Sequence, residues 1–124
     1  MRITEKGTNI AITETVREYL YKKLSHLEKY IDPSDESVNC LVELGQTTTH
    51  HKHGNLFRTE INLHLKGKEL RAVSEMSDLY SSIDLAKDEM ARELQSNKDR
   101  RVSAVRRSGA RVKNFLRGIF TREE

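Results

Sequence analysis

The sequence predicts an α+β fold in which two helices pack on one face of a four-stranded sheet, in the chain order β-α-β-β-β-α. Three observations lead to this prediction. Apolar residues recur at helical spacing in residues 13–31 and again in residues 79–94, and polar and apolar residues alternate across residues 38–75. Hairpin-linked strands pair antiparallel, and amphipathic helices bury their apolar stripes against one face of such a sheet.

The first helix is predicted over residues 13–31, with Thr13 or Thr15 as its N-cap. Thr15 and Glu18 also have the spacing of a capping box. Asp32-Pro33 ends the helix, because the residue before a proline avoids the helical region. The apolar positions of this helix are Val16, Leu20, Leu24, Leu27 and Ile31.

The strands are short and are separated by turn-forming residues. Lys66-Gly67-Lys68 predicts a tight turn between the last two strands, whereas the polar residues 45–55 form either a loop or a long hairpin tip. Cys40 lies on the inward side of the second strand, which favours a buried structural thiol. The predicted strands lie within residues 1–10 and at residues 38–44, 57–65 and 69–75.

The second helix is predicted to begin near Ser77 or Asp78 and to fray or end by about Arg101. Residues 102–124 show no convincing periodicity, and we interpret them as a basic C-terminal tail that stays disordered until a partner binds. The expected division is therefore a domain of residues 1–101 and a tail of residues 102–124. Four large apolar residues in the tail favour either a binding partner or a short helix that folds back: Phe115, Leu116, Ile119 and Phe120.

The charge is unevenly distributed along the 124 residues. Residues 1–97 carry 13 basic and 16 acidic side chains, whereas residues 98–124 carry 9 basic and 3 acidic side chains. A basic segment on a mildly acidic body favours a polyanionic partner such as a nucleic acid, or else a solvated tail. A single cysteine, the lack of a signal peptide and the lack of a long apolar run predict a cytoplasmic protein that does not enter membranes.

Enzyme signatures are absent from the sequence, which contains no glycine-rich phosphate loop and no nucleophile elbow. Asp84 and Asp88 are interpreted as a solvated acidic pair rather than as a general acid and base. The cluster His50-His51-Lys52-His53 could bind zinc, but a polar hairpin tip is favoured because further ligands are missing. We therefore predict a binding protein with no cofactor and no metal.

Cationic and aromatic residues follow a second stripe on each predicted helix. If the helices lie side by side, these stripes frame one groove that could bind an RNA backbone by shape. The alternatives are an ordinary solvated helix face and, for Tyr80, packing against the core. The stripes comprise Tyr19, Lys22, Lys23, His26, Lys29 and Tyr30 on the first helix, and Tyr80, Lys87, Lys98, Arg100 and Arg101 on or after the second.

The first helix ends in the segment Leu24-Ser25-His26-Leu27-Glu28-Lys29-Tyr30, and the second helix starts with the segment Ser77-Asp78-Leu79-Tyr80-Ser81-Ser82-Ile83-Asp84. Both helices resemble those of the ribosome hibernation factors, a family that includes the hibernation-promoting factor and protein Y. The resemblance covers about residues 1–101. It implies a fold similar to the double-stranded RNA-binding domain with an added first strand.

The resemblance also implies which residues bind RNA. On the first helix it assigns Lys23, His26 and Lys29, beside which we place Lys22. From the second helix onward it assigns Tyr80, Lys87, Arg92, Lys98, Arg100 and Arg101. The chain departs from the family pattern at Glu89 and Ser96, where members commonly carry basic residues, and it lacks the second domain of the long members.

The predicted function is that of a ribosome hibernation factor in dormant, stressed or stationary-phase cells. The resemblance implies binding to the small ribosomal subunit and its rRNA near the decoding centre, where the protein blocks mRNA and tRNA sterically. The basic tail could also contact ribosomal proteins near the mRNA channel. The alternative is a generic double-stranded RNA-binding module with no role on the ribosome.

Overall fold

The computed structural model describes residues 1–48 and 54–122, and the elements follow the predicted order. The chain divides into two compact units, Met1–Leu94 and Gln95–Glu124. The elements are β1 (Arg2–Thr8), α1 (Glu14–Ser25), a single 3-10 turn (Glu28–Tyr30), β2 (Asn39–Thr48), β3 (Asn55–Leu65), β4 (Lys68–Met76) and α2 (Leu79–Arg122).

The four strands form one mixed sheet in the spatial order β1-β2-β3-β4. β1 pairs with β2 in parallel through the α1 crossover, and the remaining neighbours pair antiparallel. The β2–β3 ladder extends to Thr48 opposite Asn55, so residues 45–48 and Asn55 lie in paired strands, which agrees with the predicted long hairpin and not with a loop over residues 45–55. Gly67 has a φ of 74° in the turn between β3 and β4, a conformation that glycine adopts without steric cost.

The core lies between one face of the sheet and the two helices, as predicted. Val42 of β2 pairs with Ile61 of β3, which pairs with Ala72 of β4, so these side chains share one face. Because successive side chains of a strand point to opposite faces, the other face of the sheet carries most of the polar side chains of the strands. The helices contribute Val16, Leu20 and Leu24 from α1 and Leu79, Ile83, Ala86, Met90 and Leu94 from α2, all buried.

α1 is shorter than the predicted helix over residues 13–31. Thr13 caps it by accepting a hydrogen bond from the Val16 amide at 3.2 Å, so the Thr15 alternative was wrong. After Ser25 the backbone bonds span three residues, from Leu27 to Leu24 and from Tyr30 to Leu27. The chain therefore tightens into a 3-10 turn as it approaches Asp32-Pro33.

A chain of buried hydroxyls anchors the start of α2 to the sheet. Thr59 of β3 and Ser82 of α2 lie 2.7 Å apart, and Ser82 donates to the Leu79 carbonyl at 2.7 Å. Ser74 of β4 donates to the backbone carbonyl of Ser82. Asp78 caps the helix by accepting from the Ser81 amide at 2.9 Å, which agrees with the predicted start. The first turn of α2 is therefore fixed against β3 and β4.

The far end of α2 differs from the sequence prediction. The helix continues to Arg122, so the expectation of an end near Arg101 was wrong. The division into a domain of residues 1–101 and a basic tail of residues 102–124 stays a prediction. The chain has no proline after Pro33, and Gly109 and Gly118 each destabilise a helix by only about 1 kcal/mol. Among the described residues, none of the helices has the length and apolar character that a membrane span requires.

Candidate nucleic-acid interface

α1 and α2 meet at a group of polar and aromatic side chains that we call the interhelical cluster, comprising Tyr19, Lys23, Tyr80, Asp84, Lys87, Asp88 and Arg92. The Tyr19 hydroxyl donates to Asp84 Oδ1 at 2.6 Å, and Lys23 Nζ lies 3.3 Å from the same oxygen. The Tyr19 and Tyr80 rings meet edge to face, with centroids 4.8 Å apart. Asp84 therefore joins two side chains of α1 to a turn of α2.

Asp88 interacts with the cationic side chains of the interhelical cluster. Lys87 Nζ lies 2.7 Å from Asp88 Oδ1. The hydrogen bond from Lys87, with further attraction from Lys87, Arg92 and Lys23, lowers the pKa of the Asp88 carboxyl. The interpretation of Asp84 and Asp88 as a solvated pair agrees with their exposed fractions of 42% and 53%, and the structure adds a lysine partner for each carboxylate.

The structure thus brings four of the predicted RNA-binding residues to one place, namely Lys23, Tyr80, Lys87 and Arg92. Lys23 and Lys87 already have carboxylate partners there. Surface pairs of this kind contribute little to stability, typically about 0–1 kcal/mol each, so a phosphate could compete with the carboxylates. The interhelical cluster is consequently a mixed-charge surface rather than a purely cationic groove.

Three predicted residues lie near the end of α1. Lys22 is exposed in its last turn, and His26 is the exposed C-cap. Lys29 lies on the 3-10 turn, with Nζ 5.0 Å from the centroid of the Tyr30 ring. Because α1 ends at Ser25, Lys29 is not on a continuation of the α-helical stripe, which corrects the predicted spacing.

The last three predicted residues, Lys98, Arg100 and Arg101, belong to the second compact unit. Lys98 and Arg100 are exposed, and Arg100 Nε donates to the Ser96 carbonyl at 3.4 Å. The side chain of Arg101 lies outside the described part of the structure. Along α2 these residues come after Leu94, the last of the described apolar residues of this helix that is buried in the core.

The open face of the sheet holds a different arrangement. Glu60 is only 8% exposed, and it pairs with Arg71 and, at 3.4 Å, with Arg58. A buried carboxylate needs such partners, since an unpaired charge is expensive to desolvate. Both arginines therefore lie against Glu60, and Arg58 also lies 3.9 Å from Glu75.

Cys40 is buried, and burial raises the pKa of its thiol to about 12, which agrees with the predicted structural role. Within residues 1–48 and 54–122, no group of three histidine, cysteine or acidic side chains is arranged to hold a metal ion. The predicted alternative at His50, His51 and His53 lies outside the described residues.

Comparisons with known proteins identify the family. Residues 3–102 match the model of the family described as sigma 54 modulation protein / S30EA ribosomal protein. The ribosome hibernation promoting factor of Escherichia coli is 32% identical over 100 residues, covering 81% of this chain and 96% of that protein. The ribosome hibernation promotion factor of Deinococcus radiodurans is 35% identical over 95 residues, covering 76% of this chain and 47% of that protein.

A solved structure supports the same assignment. The N-terminal domain of Thermus thermophilus Protein Y is 28% identical and superposes with a TM-score of 0.59, covering 77% of this chain and 98% of that domain. The chain therefore belongs to the family described as sigma 54 modulation protein / S30EA ribosomal protein, in which its relatives from Escherichia coli and Deinococcus radiodurans are named for ribosome hibernation.

Proposed function

We propose that this protein is a cytoplasmic hibernation factor that binds the small ribosomal subunit near the decoding centre and blocks mRNA and tRNA. The observation that carries the proposal is the family match over residues 3–102, together with relatives that are named for ribosome hibernation. The mechanism is steric: the folded domain occupies the space that mRNA and tRNA require, and no bond is made or broken. Binding in stressed or stationary-phase cells would hold the ribosome idle.

The two compact units differ in net charge, and we therefore expect them to contribute differently to RNA binding. Residues 1–94 contain 13 basic and 16 acidic side chains, and residues 95–124 contain 9 basic and 3 acidic side chains. Attraction to rRNA at long range therefore comes mainly from the second unit. The first unit provides a surface that fits the RNA and a few cationic side chains at fixed positions.

In this proposal Lys23, Lys87 and Arg92 contact phosphates from the interhelical cluster, and Tyr80 packs beside them. Lys22, His26 and Lys29 act near the end of α1. Lys98, Arg100 and Arg101 act on α2, and the basic residues that follow bind rRNA or acidic surfaces of ribosomal proteins near the mRNA channel. Contacts of this kind fix position on a folded RNA without reading its bases.

The first test is co-sedimentation of the full chain with purified small subunits, large subunits and intact ribosomes, with excess duplex RNA as competitor. We expect binding to small subunits and intact ribosomes that duplex RNA does not remove. Displacement of the protein from the small subunits by the excess duplex RNA would instead favour the generic double-stranded RNA-binding module.

The second test compares two matched variants. One neutralises Lys23, Lys29, Lys87 and Lys98 to glutamine, and glutamine is preferred to glutamate because a new carboxylate at Lys23 or Lys87 would face Asp84 or Asp88. The control neutralises four cations on β1 and near the β3–β4 turn: Arg2, Lys6, Lys66 and Lys68.

Both variants lose the same net charge. A difference between their affinities for small subunits therefore depends on where the charges were lost and not on the overall electrostatic attraction. The first variant should bind more weakly. A plot of the logarithm of its binding constant against the logarithm of the salt concentration should have a shallower slope, by about 0.9 for each lost contact to a duplex-like phosphate site. Equal binding by the two variants would remove these lysines from the proposed interface.

A further inference from the structure

Asp84 occupies the centre of the interhelical cluster although its negative charge should repel RNA. Its Oδ1 atom accepts the Tyr19 hydroxyl at 2.6 Å and lies 3.3 Å from Lys23 Nζ. Both partners belong to α1, whereas Asp84 belongs to α2. A single carboxylate oxygen therefore sets the positions of two side chains on the neighbouring helix.

Aromatic packing restricts the same lysine further. Lys23 Nζ lies 5.3 Å from the centroid of the Tyr19 ring, and that ring meets Tyr80 edge to face at 4.8 Å. The Lys23 side chain is only 25% exposed, whereas a lysine on an open helix face samples many rotamers. Its ammonium group is thus held between a carboxylate and an aromatic face.

The contacts of Asp84 contribute more to geometry than to stability. Its side chain is 42% exposed, and an ion pair in such a place is weakened by solvent. The hydrogen bond from Tyr19 is the stronger contact, and it raises the pKa of the Tyr19 phenol to about 12. Asp84 therefore combines one strong hydrogen bond with a weaker ion pair, and together these contacts orient both neighbouring side chains.

We propose that Asp84 is a positioning residue that fixes Tyr19 and Lys23 so that Lys23 meets an RNA phosphate without first having to be ordered. This inference rests on the proposed function, since it names a residue that prepares the same interface. It reverses the simple electrostatic expectation, in which removal of any carboxylate from an RNA-binding surface strengthens binding.

The sign of the effect is the test. We expect Asp84→Asn to weaken binding to purified small subunits by roughly three- to tenfold, which is the cost of ordering one long side chain on binding. The matched control is Glu89→Gln, which removes one negative charge from the same helix and should leave affinity unchanged or raise it. If Asp84→Asn also binds as tightly as the wild type or more tightly, the positioning role is overturned.

A double-mutant cycle with Lys23→Gln separates positioning from general damage to the fold. If Asp84 acts through Lys23, Asp84→Asn should cause no further loss of affinity in the Lys23→Gln background. An undiminished loss in that background would contradict the proposal. Tyr19→Phe, which removes only the hydrogen bond to Asp84, should weaken binding by less than Asp84→Asn.

A titration that needs no ribosome distinguishes failure of this inference from failure of the proposed function. Ultraviolet titration of the full-length chain should show a tyrosine with a pKa near 12 whose pKa falls in Asp84→Asn, whereas the raised pKa of Tyr21, which is hydrogen-bonded to Glu5, should not change. An unchanged tyrosine titration would refute the geometric role of Asp84. A shifted titration in a protein that does not bind small subunits would instead refute the proposed function, and with it the role of Asp84 in RNA binding.

Discussion

Replacement of Ser82 by alanine should destabilise the protein through a specific partner, the buried hydroxyl of Thr59. Both side chains are fully buried, and their oxygens lie 2.7 Å apart. Ser82 has one hydroxyl proton and donates it to the Leu79 carbonyl, so Thr59 must be the donor in the shared bond. Ser82→Ala therefore leaves a buried donor without an acceptor.

The expected magnitudes follow from this assignment. An unsatisfied buried donor costs about 1–3 kcal/mol, which is the predicted effect of Ser82→Ala. Thr59→Val removes the donor itself and leaves the bond from Ser82 to Leu79 in place, so its effect should be about 0.5–1.5 kcal/mol. In the double variant no donor is stranded, and the combined loss should fall short of the sum by about 1 kcal/mol.

Urea unfolding followed by circular dichroism measures these free energies, and unchanged m-values would show that the unfolding reaction is the same in each variant. Additivity of the two single variants to within about 0.3 kcal/mol would refute the hydrogen-bond assignment. The result concerns function as well, because this hydroxyl chain holds the turn of α2 that carries Tyr80 and Asp84.

Four further predictions follow from local contacts. Thr13→Ala should lower the free energy of unfolding by about 1 kcal/mol through loss of the α1 cap, measured by urea unfolding. Gly7→Ala should cost about 1–3 kcal/mol, since a Cβ there would lie 2.5 Å from the Ile10 carbonyl oxygen; an unchanged melting temperature would contradict this. The Cys40 thiol, with a pKa of about 12, should react with disulfide reagents at pH 8 only after unfolding, as absorbance would report. Hydrogen bonding from Tyr21 and Arg17 lowers the pKa of Glu5 below 4.5, so its contribution to stability is present above that pH and is lost as the pH falls through the folded-state pKa; Glu5→Gln should flatten the acid side of the stability profile.

Much of the fold could be predicted from periodicity because the apolar positions face a single core. The alternation around Cys40 and Ile61 and the spacing of Leu20 and Met90 each match a buried side chain. Element ends were less predictable. The change from α-helix to 3-10 turn after Ser25 depends on backbone hydrogen bonds between residues three positions apart, and such bonds do not alter the hydrophobic pattern of the sequence.

The extension of α2 was missed for a different reason. Val102, Val105, Val112 and Leu116 recur at intervals that fit a helix, but Gly109 and many arginines obscured the pattern. The sequence also contained no sign that Asp84 would meet Tyr19, because the two residues are 65 positions apart in the chain. Contacts between distant residues become visible only when the two helices are placed side by side.

The proposed function requires that this protein competes with mRNA and tRNA for one place on the small subunit. The direct measurement is binding of the labelled full-length chain to purified small subunits that are titrated with mRNA and initiator tRNA. We expect mutual exclusion, with mRNA and tRNA displacing the protein and the protein displacing them. Simultaneous binding of all three with undiminished affinity would contradict it.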